Sequence, residues 1–177
     1  MKTTLSTLAA ILLLSGCGGA AAPEPRSYDL GLDAPAAKLP PLRIGSVRAV
    51  APFDGTDMQY RLAYRNASEV AAYAGSRWAA TPAEMFRKQL QRAAAESGKC
   101  TLAVEIQEFT QVFSAKDASE ARLELRASLS SGAARQFSVA EANAGADAVD
   151  GAAALARASN RLIGEIGSWI GAQAGCR

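Results

Sequence analysis

The stretch Ala121-Arg122-Leu123-Glu124-Leu125-Arg126-Ala127-Ser128-Leu129 alternates apolar and polar side chains without a break. Successive side chains of a β-strand point to opposite faces of a sheet, so this period of two predicts a strand with one buried and one hydrated face. A sheet built from such strands needs a layer of helices over its apolar face.

Strands are also predicted on both sides of this stretch. Cys100 to Phe113 is expected to be a long strand, in which Phe109 and Phe113 lie on the opposite face from Leu102, Val104 and Ile106. After the 121–129 stretch, Arg135 to Ala140 is expected to form a shorter returning strand.

The first half of the domain predicts a hairpin. Leu42 to Ala51 alternates with one irregularity near Gly45, and Met58 to Arg65 alternates again after a turn at 54–57. A weaker strand is expected over 69–73.

Two helices are predicted. Thr81 can cap a helix that has Pro82 at its first position and Glu84 at its third, and this helix is expected to run to Ser97. Helical spacing of apolar residues predicts a second, longer helix from Asp147 to Ala172. The predicted fold is therefore α+β, with an antiparallel sheet of about five to six strands covered by two helices.

The N-terminus has the layout of a secretory signal over residues 1–16. Lys2 precedes an apolar run that ends in Leu14-Ser15-Gly16-Cys17. This ending resembles the lipobox of bacterial lipoproteins, in which the cysteine, here Cys17, becomes an acylated N-terminus. The alternatives are a plain signal peptide with an accidental cysteine and a buried hydrophobic helix.

The remaining chain divides into a tether and one domain. Residues 17–41 combine the lipidated Cys17 with a segment rich in proline and alanine, and a short strand is expected within it over 26–32. Residues 42–177 suffice for a single domain. Cys100 and Cys176 remain besides Cys17, and export to an oxidising compartment predicts a disulfide between them. The alternative is two free, buried thiols.

The composition argues against several classes of function. The chain has 19 basic and 17 acidic side chains with no basic cluster, so we expect no nucleic-acid-binding surface. It has no histidine, which removes the Ser-His and Cys-His nucleophile pairs and the commonest zinc ligand. No spacing singles out a carboxylate or lysine pair. We therefore expect no enzyme, no cofactor and no metal site.

Short motifs lie in a characteristic order along the chain. They are Tyr28-Asp29-Leu30, Tyr64-Arg65, Val70 to Tyr73, Arg77-Trp78-Ala79 and Pro82, all after Cys17. In this order they resemble the PqiC-like family of ABC-type transport auxiliary lipoproteins. The resemblance implies a docking or assembly role beside an MCE-type lipid transport system, with an MCE-domain protein and its ABC permease and ATPase as partners.

The lipobox-like ending also predicts a location. Gly18 follows Cys17 where the retention rule known for enterobacterial lipoproteins would place aspartate, so an outer-membrane anchor facing the periplasm is expected. Membrane contact would then come from acyl chains.

The sequence leaves two questions open. Tyr60, Tyr64, Tyr73 and Trp78 can form an exposed surface for a partner or pack within the core. A periplasmic lipid-binding carrier is the alternative function, because small side chains on the last helix could leave a cavity under it. A periplasmic enzyme is a third reading, without a recognisable acid-base pair.

Overall fold

The computed structural model describes residues 24–95, 98–143 and 145–176. Its strands are β1 (Arg26–Tyr28), β2 (Arg43–Ala49), β3 (Asp57–Arg61), β4 (Ala71–Trp78), β5 (Thr101–Ala115), β6 (Ala118–Leu129) and β7 (Ala134–Ala142). Its α-helices are α1 (Ala63–Asn66), α2 (Pro82–Ala93) and α3 (Ala148–Gly171), followed by a 3₁₀ turn at Ala174–Cys176. The α+β class is confirmed.

The sheet is larger than predicted and mixed. Within the described residues it has seven strands, six of them in the order β1-β4-β3-β5-β6-β7, and β2 pairs with β5 beside this series. The antiparallel pairs are β3 with β4, β5 with β6, and β6 with β7. The pairs β1 with β4, β2 with β5, and β3 with β5 are parallel, so the prediction of a purely antiparallel sheet is wrong.

The predicted hairpin of β2 and β3 does not form. Both strands run parallel to β5, with β2 beside residues 101–106 and β3 beside residues 110–112. The chain between them leaves the sheet and returns in the same direction, and Phe53 in this excursion is buried. Alternation cannot distinguish this arrangement from a hairpin, because each strand has the same local pattern in both. The irregularity near Gly45 is confirmed as a register shift between Ile44 and Val47.

A bulge in β5 corrects the predicted facing of its aromatic residues. Ile106 pairs with Leu125 of β6 and Glu108 pairs with Glu124, so Gln107 is an extra residue. One inserted residue reverses the alternation that follows it. Phe109 therefore lies opposite Leu123, on the same buried face as Leu102, Val104 and Ile106.

Helix α2 begins with the predicted capping box. The Thr81 hydroxyl accepts a hydrogen bond from the Glu84 backbone N–H at 3.3 Å, and the Thr81 N–H donates to the Glu84 carboxylate at 3.0 Å. The helix ends at Ala93, earlier than the predicted Ser97. Ala94 is extended and bridges to Leu39, whose N–H donates to the Ala93 carbonyl at 2.9 Å. Pairing with this earlier segment therefore draws the chain out of the helix.

Helix α3 forms where the helical spacing predicts a helix, and it packs on β6 and β7. Asp147 caps it by accepting a hydrogen bond from the Asp150 N–H at 2.9 Å. Its small residues admit a neighbouring segment at close range. A Cβ placed on Gly167 would lie 3.3 Å from Leu39, and one on Gly164 would lie 3.3 Å from Ala37.

The stretch 26–41, which the sequence assigns to the tether, packs on the domain. Leu30 and Leu39 are buried in the core together with Leu42. Only β1, Arg26–Tyr28, forms a strand within the expected range 26–32.

A disulfide joins Cys100 to Cys176, the pairing that export of the chain predicts. The two Cα atoms lie 5.2 Å apart, and 76 residues separate the cysteines. One cysteine immediately precedes β5 and the other lies in the final turn, so the bond ties the chain end to the centre of the sheet.

Replacing both cysteines in the variant Cys100→Ala/Cys176→Ala is expected to lower the free energy of unfolding by roughly 4 kcal/mol, because the unfolded chain regains a long open loop. Urea unfolding measures this difference. A reducing agent should destabilise the wild-type protein and leave the variant unchanged. Equal stability of the two, or two reactive thiols in the unfolded, unreduced protein, would contradict the bond.

Candidate functional site

The structure separates the motif residues of the sequence into distinct places. Cys17 lies outside the described residues. Tyr64 and Arg65 lie exposed on α1, Tyr73 lies in β4, and Arg77 and Trp78 end that strand. Pro82 is the first residue of α2.

Trp78 belongs to the core. Its ring packs edge-on against Phe109 with 5.3 Å between centroids, and 2% of the residue is exposed. Its neighbour Arg77 points to solvent and donates to the Ser27 hydroxyl at 3.3 Å. Of the two alternatives for the aromatic residues, an exposed partner surface and packing within the core, the second therefore holds for Trp78.

Tyr73 joins a polar network that the sequence did not predict. Its hydroxyl donates to Gln111 Oε1 at 2.8 Å, and Gln111 Nε2 donates to Ser119 Oγ at 2.9 Å. Asn143 Nδ2 also donates to Ser119 Oγ, at 3.0 Å, and Ser119 Oγ donates to the Gly145 carbonyl at 3.2 Å. The network ties β4, β5 and β6 to the loop before α3. Gln111 is a polar residue between two phenylalanines on the apolar face. Its position there could have indicated a buried polar network, but only the bulge at Gln107 shows that Gln111 lies on this face.

The Tyr73 hydroxyl is held in its protonated form. Burial is the main cause that raises the pKa of Tyr73, and the nearby Tyr60 and Asp147 add to it. The Tyr60 and Tyr73 rings lie 4.7 Å apart. A tyrosine that stays protonated acts as a steady hydrogen-bond donor, so this network stabilises the fold.

Helix α1 presents Tyr64 on the face of the sheet that α2 and α3 leave uncovered. Arg61, just before the helix, makes a two-point ion pair with Glu108 of β5 at 2.9 and 3.0 Å. Arg61 also donates to the Ala67 carbonyl after the helix at 3.5 Å. One guanidinium therefore holds the helix against β5, and the Tyr64 ring above it is 41% exposed.

A pocket of about 340 Å³ opens where the parallel strands β1 and β4 end and α2 begins. We call it the β1–α2 pocket. Carboxyl ends of parallel strands beside a helix N-terminus are a common place for ligand sites. Its lining residues come from three separate segments: Asp29, Leu30, Gly31, Ala79, Ala80, Glu84, Met85, Lys88 and Gln89.

The turn that forms one wall of the β1–α2 pocket is held by several hydrogen bonds. Asp29 Oδ1 accepts from the Gly31 N–H at 2.8 Å, and Gly31 has a φ of +86°, which favours glycine. Arg92 of α2 donates to the carbonyls of Gly31 and Leu32 at 3.3 and 3.2 Å. The wall is therefore preformed.

Among the described residues, no group of three or more histidine, cysteine, aspartate or glutamate side chains could hold a metal ion. No helix in the described part of the chain is long and apolar enough to cross a membrane.

Comparison with known proteins supports the fold. No family model and no curated protein matches this chain. A crystal structure of a Xanthomonas campestris protein described under the family model DUF330 is similar, with a TM-score of 0.69 and 23% identity over 81% of this chain and 94% of that one. A second solved structure, of an uncharacterized protein, has a TM-score of 0.61 and 16% identity over 83% of this chain and 99% of that one. At these identities the likeness extends to the fold alone.

The variant Tyr73→Phe tests the buried network. At neutral pH it should lose about 1 to 3 kcal/mol of stability, because Gln111 Oε1 is left without its donor. The folded wild-type protein retains the Tyr73 proton above about pH 10, where an unfolded tyrosine loses it, so wild-type stability should fall as the pH rises beyond 10. This fall should be shallower in Tyr73→Phe.

Urea unfolding between pH 7 and pH 11 measures both effects. Tyr64→Phe, a change at an exposed ring, is the matched control and should follow the wild-type profile. An alkaline profile of Tyr73→Phe identical to that of the wild type would refute the assignment.

Proposed function

We propose that this protein is the auxiliary docking component of an MCE-type ABC lipid transport system, anchored in the outer membrane through acylated Cys17 and facing the periplasm. The order of short motifs and the lipobox-like N-terminus support this proposal. The partners would be the MCE-domain protein and its ABC permease and ATPase.

The observation that carries the docking role is the exposed Tyr64-Arg65 pair on α1. Tyrosine and arginine are the residue types most often found at the energetic centres of protein interfaces. The Arg61–Glu108 pair fixes α1 in place before any partner arrives, so little ordering entropy remains to be lost on binding.

The surface around α1 has the polar character of an interface rim. Helix α1 lies against β5, and Thr110 and Val112 of that strand are buried. Beyond the helix the same sheet face is hydrated and carries the ion pair between Arg48 and Glu105. A central aromatic anchor within a charged surround matches the usual anatomy of a protein–protein interface.

The packing beneath α3 favours docking over the carrier alternative. The buried side of this helix includes Ala154, Ala158 and Ile163, all fully buried against the sheet. A side chain at Gly164 or Gly167 would crowd the 37–39 segment, so these glycines let that segment pack closely on α3. The small side chains thus serve close packing, where the carrier hypothesis expects a cavity. Native mass spectrometry that detects one phospholipid per chain would favour the carrier.

The variant Tyr64→Ala is expected to weaken capture of the MCE-domain protein at least tenfold without loss of folding, since the ring is exposed. The full-length tagged lipoprotein is purified from its own cells, and the MCE-domain protein is quantified by mass spectrometry. Val149→Ala, at another exposed apolar side chain, is the control and should retain capture. Undiminished capture by Tyr64→Ala would show that the interface lies at another surface. Absence of any MCE-domain protein from the wild-type sample would refute the proposed function.

The anchor is tested by Cys17→Ser, which removes the sulfur that acylation needs. The variant should move from the membrane fraction to the soluble periplasmic fraction in cell fractionation. Ser15→Ala keeps a small residue two positions before the cysteine and should remain in the membrane. A membrane-bound Cys17→Ser protein would exclude lipidation at this residue.

A further inference from the structure

We propose that two copies of this chain pair through the outer edge of β7, in an antiparallel arrangement centred on Ser138, so that their two sheets form one continuous sheet. Strand β7 lies at one end of the sheet, and no strand among the described residues pairs with its outer edge. The partner is a second copy because the backbone and the charges of β7 complement themselves.

The even-numbered residues of β7 carry its free backbone groups. Just before β7, the Leu129 N–H donates to the Ala133 carbonyl at 2.8 Å. Just after it, the Asn143 N–H donates to the Ser119 carbonyl at 3.1 Å. The register of β6 and β7 has no shift between these two pairs, so the odd-numbered residues of β7 bond to β6. The backbone groups that point outward are therefore those of Ala134, Gln136, Ser138, Ala140 and Ala142.

The outer edge of β7 lacks the features that usually prevent edge strands from pairing. The strand has nine residues, without proline, glycine, lysine or a bulge. At the other end of the sheet, β1 is protected by its length of only three residues. The side chains of β7 also leave its edge open, because Gln136 donates to Gln107 and the Ser138 hydroxyl donates to Glu124 at 3.4 Å. The edge is therefore long, regular and accessible.

Pairing centred on Ser138 satisfies the outward backbone groups. Two antiparallel copies that meet at Ser138 place Gln136 of each copy opposite Ala140 of the other. These residues are all even-numbered, so their N–H and C=O groups face one another and form reciprocal hydrogen bonds. Arg157 of α3 already donates to the Ala142 carbonyl at 3.0 Å, so the new bonds span residues 136–140.

The charges of β7 select this register. Its two charged residues, Arg135 and Glu141, lie at equal distances from Ser138. Each Arg135 therefore lies opposite Glu141 of the other copy, in a pair without backbone hydrogen bonds, where facing side chains are closest. Moving the centre by one residue would place Arg135 opposite Val139 or Asn143 instead.

Arg135 is available for this contact. Its guanidinium lies 5.1 Å from the centre of the Phe137 ring, and no described carboxylate forms an ion pair with it. Glu141 pairs with Arg157 at 3.5 Å and is partly exposed, so it can accept from a second cation. The second copy thus supplies the acidic partner that Arg135 lacks within its own chain.

The contact consists mainly of backbone hydrogen bonds. Phe137 and Val139 are buried in the core of each copy, so pairing adds little apolar area. Strand addition of this kind obtains its affinity from main-chain bonds. It uses neither α1 nor the N-terminal segment, so it is independent of the proposed docking role.

A cysteine at the centre of the interface traps the dimer. Ser138→Cys places two sulfur atoms opposite each other, within reach of a disulfide. The full chain is produced in its own cells, dimers are quantified on non-reducing gels, and mass spectrometry identifies the linked residues. Ser138→Cys should form roughly tenfold more dimer than Ser128→Cys, the control on β6, which is paired on both sides. Equal amounts, or no Ser138→Cys dimer, would overturn the proposal.

A pair of further cysteines tests the register. Gln136→Cys and Ala140→Cys should each form little dimer alone, because neither residue lies opposite itself. Copies with the two changes, produced together with different tags, should link to each other as well as Ser138→Cys links to itself. Equal linking of Gln136→Cys to itself would contradict the register. A disulfide between Ser138→Cys and a different protein, in place of the dimer, would assign the edge to a foreign strand and overturn the proposal.

Charge reversal tests why the partner is a second copy. In the Ser138→Cys background, Arg135→Glu alone and Glu141→Arg alone should each reduce the dimer, because like charges then face each other. Mixed copies of the two variants should link again, because every facing pair is then of opposite charge. Circular dichroism first establishes that both variants are folded. Unchanged dimer in the single variants, or no recovery in the mixture, would refute the charge pairing.

Discussion

The bulge at Gln107 is the constraint on which the arrangement of the sheet depends. Strand β5 pairs with β6 along nearly its whole length and with β2 and β3, one after the other, on its opposite edge. Without the extra residue, every side chain after Ile106 would change faces. The bulge keeps Phe109 in the core, where it packs against Trp78, and directs Glu108 to the other side, where it receives Arg61. The core and the position of α1 therefore share one local cause.

Local signals predicted the elements of this fold well and their pairing poorly. The alternation at Ala121–Leu129 and the capping box at Thr81 depend on neighbours in sequence, and both are present in the structure. Parallel pairing of β2 and β3 with β5 depends on residues about fifty positions away. Alternation of apolar and polar side chains does not indicate whether two strands run parallel or antiparallel. The burial of Leu30 and Leu39 was hidden by the prolines around them, which indicated a tether.

The two candidate surfaces differ in how far the sequence could lead to them. Tyr64 and Arg65 stood out as a motif, although their helical conformation and exposure became evident only from the structure. The β1–α2 pocket is assembled from three segments separated by up to fifty residues, each unremarkable alone. No sequence motif includes Gln89. Only the packing of the turn at Gly31 against α2 buries its carboxamide.

The parallel pairing of β1 with β4 has a mechanical consequence. The chain enters the domain through β1, whose residues lie beside Ser76, Arg77 and Trp78. Tension applied along β1 from its N-terminal side loads the hydrogen bonds between these strands in shear, so they must fail together instead of opening one at a time. Leu30 in the core and the Arg92 bonds to the following turn add resistance just beyond the strand. The domain is thus built to bear a load at the end where its chain emerges.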